Sequence, residues 1–513
     1  MSEAAQGPRT VLLHNVTLWS GWRRKDSALP VAVDVIAPLA QSAIAERPLE
    51  AGEPGGTPVQ VDCTGMMLVP GFADPHVHFR DPGQTHKETM VTGCAAAVSG
   101  GYTSVLIMPN TVPALDGARI DPTDPRAQQL HGYDSALDYL EHYEQANGVT
   151  LPVRYALCAA ASRDREGGQP SRIEDWRHAL ATVGTPGFAH PVVAVSDDGA
   201  AVPDALLDDV ARMCLEAGVP FIDHCEHHDS GIMNEGATSR RLGVPGIAEE
   251  TETTIIARDI DLARRTGCHV HLQHVSCAAS FDLIRRAKDE GLPVTCETAP
   301  HYLALDDTAV ERMDTMAKMN PPLRSEANKF ATRKAVADGT VDLIATDHAP
   351  HTLREKSEGL LKAPNGIIGL ETAYGVCRDV LVAGGYISDD RLITLMGVNP
   401  SIVMGNAVSS LSASDLSQPQ GPGAAPVLDL TRLAAGADTS SAFHYLRGGL
   451  AYAAGAESPA NQRDYTLVDM HREWTVDPGA FHSKARNTPF AGMRLAGRPV
   501  ATLVGGSIVF TRI

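Results

Sequence analysis

Eight short apolar runs alternate with segments of helical spacing along the middle of this chain. Such alternation is typical of β-then-α units, and eight units imply a closed parallel barrel. A doubly wound sheet is the competing topology, but it has no need for polar residues at the ends of so many separate strands. We therefore predict an α/β protein with a TIM-like (β/α)8 barrel. Its predicted strands are residues 67–80, 103–109, 153–160, 192–196, 220–224, 269–274, 293–298 and 341–346, and its predicted helices include residues 85–99, 203–217, 249–266 and 279–290.

The two ends of the chain both carry runs with the composition of β-strands. We expect these runs to pack into one small β-sandwich domain built from residues 1–70 and 464–513, beside a barrel formed by residues 71–405. The terminal strand candidates are residues 11–19, 31–36, 465–470 and 498–513.

The region between the barrel and the last strands has a different composition. Residues 409–426 are rich in Ser, Pro, Gly and Gln, which is typical of a flexible segment. We interpret residues 406–463 as a flexible excursion or as an elaboration of the β domain. A weak apolar run at 443–446 receives no role.

Composition excludes several classes of partner. The 513 residues suffice for a large barrel and a smaller domain. A net charge of −19 argues against nucleic acid and anionic membrane surfaces as partners. The nine cysteines form no Cys-x-x-Cys pair, which indicates reduced thiols and a cytoplasmic protein. Residues 1–10 lack the apolar core of a signal peptide, and no run of about 18 apolar residues could span a membrane.

The end of the first predicted strand carries the residues that point most directly to chemistry. Alternation along a strand places His76, His78 and Arg80 on one face, and Val77 and Phe79 on the other. Two imidazoles at this spacing can bind one metal ion, and the guanidinium lies just beyond them. We therefore predict a metal site with a neighbouring anion-binding group at this strand end.

Polar residues follow most of the other predicted strands, where a parallel barrel gathers its functional groups. Four histidines and two aspartates at equivalent positions suit zinc or another first-row divalent ion. Six ligands are too many for one tetrahedral zinc, so two metals bridged by a carboxylate is the economical interpretation. Such a pair can hold a hydroxide at near-neutral pH. The polar strand ends are residues 108–110, 196–199, 223–226, 273–276, 298–301 and 345–351.

Four further histidines are left out of the predicted site. His86 falls in the first predicted helix, and His348 should face away from Asp347. His227 and His228 lie beyond the end of the fifth predicted strand.

Together these residues resemble the dihydroorotases, in the longer bacterial class of the amidohydrolase superfamily. The likeness covers residues 62–399 and 484–513, whereas residues 1–57 match poorly and residues 409–462 have no counterpart. The metal motif is shared by relatives across the superfamily. The arginine after His-x-His and the Asn320 motif are more specific to this family. The matching motifs are residues 74–83, Met108-Pro109-Asn110-Thr111, Asp197-Asp198-Gly199, Asp223-His224-Cys225-Glu226, His274-Val275-Ser276, residues 318–324, residues 345–351 and residues 486–490.

The resemblance implies reversible, zinc-dependent cyclisation of N-carbamoyl-L-aspartate to L-dihydroorotate, the third step of pyrimidine synthesis. It implies one or two zinc ions per chain and a proton transfer by Asp347. The implied metal ligands are His76, His78 and Asp347 for one zinc, His224 and His274 for the second, and Asp198 as the bridge.

The resemblance also implies how the substrate is bound. Arg80, Asn110 and His351 would take the substrate carboxylate, and a planar guanidinium suits a carboxylate well. Asn320 would contact the ring, together with the backbone near Asn365 and Gly366.

The predicted bridge is an aspartate, whereas many superfamily members use a lysine carboxylated by CO₂. The chain has no lysine between Lys87 and Lys288, and both of these lie in helix-like segments, so the second to sixth strands cannot supply one. Adjacent residues on a strand face opposite sides, so only one of Asp197 and Asp198 should reach the metals. The resemblance selects Asp198 and leaves Asp197 as a structural neighbour.

Two alternative functions stay open at this point. One is another cyclic amide hydrolase, such as a dihydropyrimidinase or an allantoinase, whose substrates lack the ring carboxylate and give Arg80 little purpose. The other is a non-catalytic partner of an aspartate carbamoyltransferase, but such chains have lost metal ligands that are all retained here. The expected partner is the small-molecule substrate, and the resemblance allows a homodimer or an aspartate carbamoyltransferase complex.

Overall fold

A parallel barrel of eight strands forms the body of the protein in this computed structural model. The structure describes residues 9–46, 57–180, 190–227, 231–405, 408–417, 424–431 and 463–513. Each barrel strand pairs with the next one along the chain, and a bridge between Val77 and His348 joins the last strand to the first. The predicted (β/α)8 class is therefore confirmed. The barrel strands are β5 (Phe72–Val77), β6 (Tyr102–Ile107), β7 (Arg154–Ala160), β8 (Val192–Ser196), β9 (Phe221–Asp223), β12 (Val270–Leu272), β13 (Val294–Thr298) and β14 (Leu343–Ile344).

The first predicted strand is wrong in one respect, because it is two strands that belong to different sheets. The chain leaves β4 (Met66–Pro70) at Gly71 and enters β5. A Cβ at Gly71 would lie 2.1 Å from Thr103 Oγ1, so only glycine allows this close passage. β5 ends at Val77, and Arg80 adopts a left-handed φ of 51°. His78 and Arg80 therefore follow the strand instead of sharing its face with His76.

Helices cover the outside of the barrel, and the four predicted ones are present. The first starts later than predicted, at Met90, because the side chain of Thr89 caps its N-terminus. His86 and Lys87 consequently lie in the preceding turn and not in a helix. The helices are α1 (Ser20–Lys25), α2 (Met90–Ser99), α3 (Ala136–Glu141), α4 (Tyr143–Asn147), α5 (Ile173–Trp176), α6 (Leu207–Ala217), α7 (Ala237–Leu242), α8 (Glu250–Thr266), α9 (Ala278–Asp289), α10 (Pro300–Ala304), α11 (Ala309–Met313), α12 (Glu326–Asp338), α13 (Leu353–Lys356), α14 (Ala373–Cys377), α15 (Asp389–Ile393) and α16 (Asn399–Val403).

Strands from both ends of the chain form a second sheet, which closes on itself through an additional pairing of β1 (Thr10–Leu18) with β2 (Ala32–Ala45). Two short strands after the barrel extend one edge through the pairing of β16 with β2. The prediction for residues 443–446, and most of that for residues 406–463, lies outside the described residues. The strands are β1 (Thr10–Leu18), β2 (Ala32–Ala45), β3 (Val59–Asp62), β4, β15 (Leu416–Ser417), β16 (Val427–Asp429), β17 (Tyr465–Thr475), β18 (Arg494–Val504) and β19 (Ser507–Thr511), and a separate two-stranded pair is β10 (Met233–Asn234) with β11 (Gly246–Ile247).

The terminal sheet is bonded to the barrel where α2 turns into β6. The Thr502 hydroxyl donates to the Val98 carbonyl at 2.6 Å, and the Thr466 hydroxyl donates to the Gly101 carbonyl at 2.6 Å. Arg512 donates to the Ser99 carbonyl at 3.1 Å. These buried bonds fix the terminal sheet against the side of the barrel.

Two further findings concern expectations from composition. All nine cysteines are described, and each is buried and free of a disulfide. Within the described ranges, no helix is both long and apolar enough to cross a bilayer.

Candidate active site

A cavity of about 230 Å³ opens at the carboxyl ends of the barrel strands. This is the end of a (β/α)8 barrel where side chains from different strands converge. The cavity contains every residue predicted for the site except His76, which lies buried beside it. Its lining residues are His78, Arg80, Asn110, Asp198, Gly199, His224, His274, Asn320, Asp347, Ala349, His351, Asn365 and Gly366.

His76, His78 and Asp347 form the first of two ligand groups. The Nε2 atoms of both imidazoles face Asp347 Oδ1, at 3.5 Å from His76 and 3.1 Å from His78. The other ring nitrogens are occupied, His76 Nδ1 by Glu297 Oε1 at 2.7 Å and His78 Nδ1 by Asn110 Oδ1 at 2.8 Å. Acceptors on Nδ1 orient a histidine so that Nε2 can bind a metal.

Asp198 lies between this group and a second one, formed by His224 and His274. Its Oδ2 is 3.2 Å from His78 Nε2, and its Oδ1 is 3.3 Å from His224 Nδ1. The His274 Nε2 atom lies 3.8 Å from the same Oδ1 and 2.8 Å from His224 Nδ1. One carboxylate thus faces imidazoles of both groups.

The electrostatics of these buried groups favour metal binding. Burial opposes ionisation of Asp198, but the surrounding imidazoles, His76 first, hold its pKa well below the usual value. Burial lowers the pKa of the His78 imidazole, and it lowers the pKa of His274 further with the help of His224. Neutral imidazoles and an ionised carboxylate are the states in which these groups bind divalent cations.

His76 provides a further test of fit. Burial opposes its protonation, but the carboxylates of Asp198, Asp347 and Glu297 raise its pKa well above the usual value. Its buried Nε2 lies 3.3 Å from Asp198 Oδ1 and 3.5 Å from Asp347 Oδ1, but among the described residues it makes no hydrogen bond of good geometry. Either a proton or a metal can satisfy such a nitrogen. Within the described ranges, His76–His78–Asp347 and His76–Asp198–His274 each place three ligand atoms close enough to hold one ion.

Arg80 supplies a buried positive charge next to the candidate metal ligands. Burial lowers the pKa of its guanidinium to about 10, so it remains charged at neutral pH. Its Nε donates to the Pro350 carbonyl at 3.4 Å, which leaves its other donors for a ligand in the cavity. A cation in this position favours an anionic group on the bound molecule.

His351 enters the cavity as a neutral ring. Burial, followed by the positive charges of Arg80 and Lys87, lowers its pKa to about 2. Its Nε2 donates to the Asn365 carbonyl at 2.8 Å, so Nδ1 carries the lone pair. That nitrogen has no hydrogen-bond partner within the described residues. The single N–H donor of the neutral ring is therefore on Nε2, next to the loop that contains Asn365.

Three of the nine described non-glycine residues with a left-handed backbone lie at this site. Arg80, His274 and Asp347 all have left-handed φ angles, of 51°, 38° and 48°. Residues other than glycine adopt such angles at a cost of about 1–3 kcal/mol, mainly where function requires it. All three residues line the cavity, two or three positions after their barrel strands end.

The aspartate next to the proposed bridge has a different environment. Asp197 accepts hydrogen bonds from the backbone and hydroxyl of Ser162, and so faces away from the ligand cluster. His348 also faces away, and its Nδ1 accepts from the Gly369 amide at 3.2 Å. His86 is exposed and His227 lies at the surface, while His228 lies outside the described residues.

Several buried residues beside the site received no individual role from the sequence. Glu297 holds both His76 and His271, and His301 lies buried after β13 with a pKa that burial lowers to about 4. Asn487 accepts from the His351 amide at 3.1 Å and donates to the Ala349 carbonyl at 3.0 Å. The motif of residues 486–490 was the available signal for Asn487, whereas an isolated glutamate in a strand offered none for Glu297.

A (β/α)8 barrel with two adjoining histidine–aspartate groups and a buried arginine defines the class as a barrel hydrolase that can hold metal. Comparison with known proteins narrows this class. The profile of the amidohydrolase family matches residues 67–413. A dihydroorotase of Pelotomaculum thermopropionicum is 37% identical over 453 residues, which are 88% of each chain. A dihydroorotase of Anaeromyxobacter dehalogenans is 39% identical over 455 residues, 88% of this chain and 87% of the relative. This chain belongs to the dihydroorotases of the amidohydrolase family and is a cyclic amide hydrolase.

Solved structures support the fold. A dihydropyrimidinase from Brevibacillus agri superimposes with a TM-score of 0.65 at 19% identity, over 98% of this chain and 95% of that one. An L-hydantoinase from Arthrobacter aurescens gives a TM-score of 0.64 at 20% identity, over 98% and 96%. At these identities the likeness extends to the architecture alone.

Proposed function

We propose that this protein is a zinc-dependent dihydroorotase that interconverts N-carbamoyl-L-aspartate and L-dihydroorotate with release or uptake of water. The observation that carries the proposal is the buried guanidinium of Arg80 in the same cavity as the metal ligands. Dihydroorotate has a ring carboxylate that this cation would bind, whereas dihydrouracil, hydantoin and allantoin have none. The family relatives named dihydroorotase support the same substrate.

Zinc is the metal that the donor set favours, since histidine nitrogens, carboxylate oxygens and a water molecule are usual ligands of catalytic zinc. We propose that His76, His78 and Asp347 hold one ion, that His224 and His274 hold the second, and that Asp198 contacts both. Bound there, the ions would polarise the amide carbonyl and lower the pKa of the attacking water.

Asp347 is the proposed general acid and base. In ring opening, a C–O bond forms between water and the carbonyl carbon and the C–N bond breaks. The Asp347 carboxylate takes the proton from the attacking water and delivers it to the leaving nitrogen. In cyclisation, the C–N bond forms and the C–O bond breaks, and the carboxylate takes a proton from the attacking nitrogen and gives it to the departing hydroxide, which leaves as water. Its place in the cavity, 3.1 Å from His78 Nε2, allows both transfers.

The remaining cavity residues would orient the substrate. Arg80, Asn110 and His351 are the proposed contacts of the ring carboxylate, and the His351 Nε2–H would donate to it in place of the Asn365 carbonyl. Asn110 uses its Oδ1 to hold His78, which leaves its Nδ2 as a donor. The buried Oδ1 of Asn320 has no hydrogen-bond partner among the described residues, which suits a contact with a ring N–H, beside the backbone at Asn365 and Gly366.

Arg80→Met tests substrate selectivity. The substrate carboxylate would lose its charged partner in a buried site, which costs about 2–5 kcal/mol in kcat/KM for dihydroorotate. On dihydrouracil, which lacks the carboxylate, kcat/KM should change little. Steady-state kinetics on both compounds measure the difference, and an equal loss on both would show that Arg80 is structural.

The direct test of the proposed function is ring opening of dihydroorotate, followed in the ultraviolet, by protein with a measured zinc content. We expect turnover of dihydroorotate and little of dihydrouracil or allantoin. Preference for either of those compounds would establish another cyclic amide hydrolase. No turnover of any of them by protein that holds two zinc ions would establish a non-catalytic chain.

A further inference from the structure

Lys356, the last residue of α13, is a buried lysine outside the cavity lining. Its side chain is 1% exposed. Its Nζ donates to three backbone oxygens, those of Lys318 at 3.2 Å, Pro364 at 3.0 Å and Gly366 at 3.0 Å. Three acceptors match the three N–H donors of an ammonium group. No carboxylate forms an ion pair with it within the described residues, so backbone carbonyls are its direct partners.

This placement is energetically demanding. Burial lowers the pKa of Lys356 to about 7, and the charge of Lys318 acts in the same direction while Asp314 opposes it. A buried cation without a carboxylate partner is costly unless its donors are all satisfied. Here all three N–H groups of Lys356 donate to backbone carbonyls.

The three oxygens belong to the two loops that carry proposed substrate contacts. Lys318 precedes Asn320 by two residues, and Pro364 and Gly366 flank Asn365. The Gly366 amide also donates to the Lys318 carbonyl at 3.0 Å, and Lys318 Nζ donates to the Ala363 carbonyl at 2.7 Å. The side chain of Lys356 is therefore hydrogen-bonded to both loops.

We propose that Lys356 is a positioning residue that holds the Asn320 loop and the Asn365–Gly366 loop at a fixed separation, so that both contact the substrate ring at once. The inference rests on the proposed function for the substrate roles of these loops. The joining of the loops itself does not depend on it, which allows the two to be tested apart.

The test compares Lys356→Met, which keeps the length of the side chain and removes its donors, with Lys362→Met, an exposed lysine near the second loop. Loop order is measured without substrate, by hydrogen exchange of a peptide that covers residues 363–368. Substrate binding is measured as KM and kcat for dihydroorotate, with zinc content determined on the same samples.

We expect Lys356→Met to speed exchange of this peptide and to raise KM about tenfold or more, because three charge-assisted hydrogen bonds are lost. Zinc content should stay unchanged and kcat should fall less than KM rises, while Lys362→Met should match the parent protein. A merely destabilised protein would instead lose kcat through a smaller active fraction, at constant KM, and this result would overturn the proposal.

Unchanged exchange in Lys356→Met would also overturn it. If that variant does not fold, Lys356→Gln, which removes the charge and keeps a shorter donor, provides the same two measurements, and unchanged exchange and KM there would overturn the proposal. Faster exchange in a protein whose parent does not turn over dihydroorotate would uphold the loop linkage and overturn the proposed function.

Discussion

Asp347→Asn is expected to lower kcat for both ring opening and cyclisation by about 10²–10⁴-fold, since a positioned acid or base contributes that much. The carboxylate is replaced by an amide that cannot carry the proton in either direction. Asparagine is also a weaker metal ligand, so loss of zinc would add to the effect. Kinetics in both directions, with the zinc content of each sample, measure the change.

Asp74→Asn is the matched control for this variant. Asp74 is equally buried and lies next to the same strand end, where it accepts from the amide and the hydroxyl of Thr346. Burial raises its pKa to about 7, so the neutral amide resembles a state that the carboxyl already reaches. We expect this change to lower the free energy of unfolding. It should lower kcat much less than Asp347→Asn does. If Asp347→Asn kept more than about a tenth of kcat, the proton-transfer role would be wrong.

Asp198→Asn is expected to remove the second metal and to lower kcat/KM by about 10²-fold or more, as when a transition-state-stabilising group is lost. The carboxylate faces imidazoles of both ligand groups, so one substitution weakens both. No lysine occurs between Lys87 and Lys288. The second to sixth barrel strands therefore cannot supply a carboxylated lysine in place of the Asp198 carboxylate. Activity should therefore be independent of added bicarbonate. Zinc analysis and kinetics with and without bicarbonate measure both effects.

Asp197→Asn is the matched control for the bridge. Its carboxylate accepts from Ser162 and not from the ligand histidines, so the change should cost about 1–3 kcal/mol of stability with a smaller effect on metal content. A greater metal loss from Asp197→Asn than from Asp198→Asn would contradict the assignment. Recovery of metal-depleted protein only when bicarbonate accompanies zinc would contradict it as well.

Much of this fold was predictable because its strands are short, apolar and separated by helices of regular spacing. The same regularity predicts where a site lies, since parallel strands bring their carboxyl ends to one edge. The break at Gly71 was not predictable, because strands of two sheets follow one another in a single apolar run. The start of α2 at Met90 depends on one capping threonine, which the apolar pattern does not register.

The proposed ligands were predictable from types of residue, but the residues that support them were not. Glu297 and His76 are 221 positions apart, and the motif that contains Asn487 indicates no partner. Lys356 is a lysine in a short helix, and only the folded chain shows that three carbonyls surround its ammonium group. Such roles arise from tertiary proximity, which local pattern does not encode.

The contacts of Asn487 have a consequence for how this protein is made. This residue joins the His351 amide and the carbonyls of Ala349 and Gly366, all more than a hundred positions earlier in the chain. During synthesis the eight barrel strands emerge from the ribosome well before it does. The cavity loops therefore acquire their final order only after translation has nearly finished, so truncated chains that contain the whole barrel should lack a competent site.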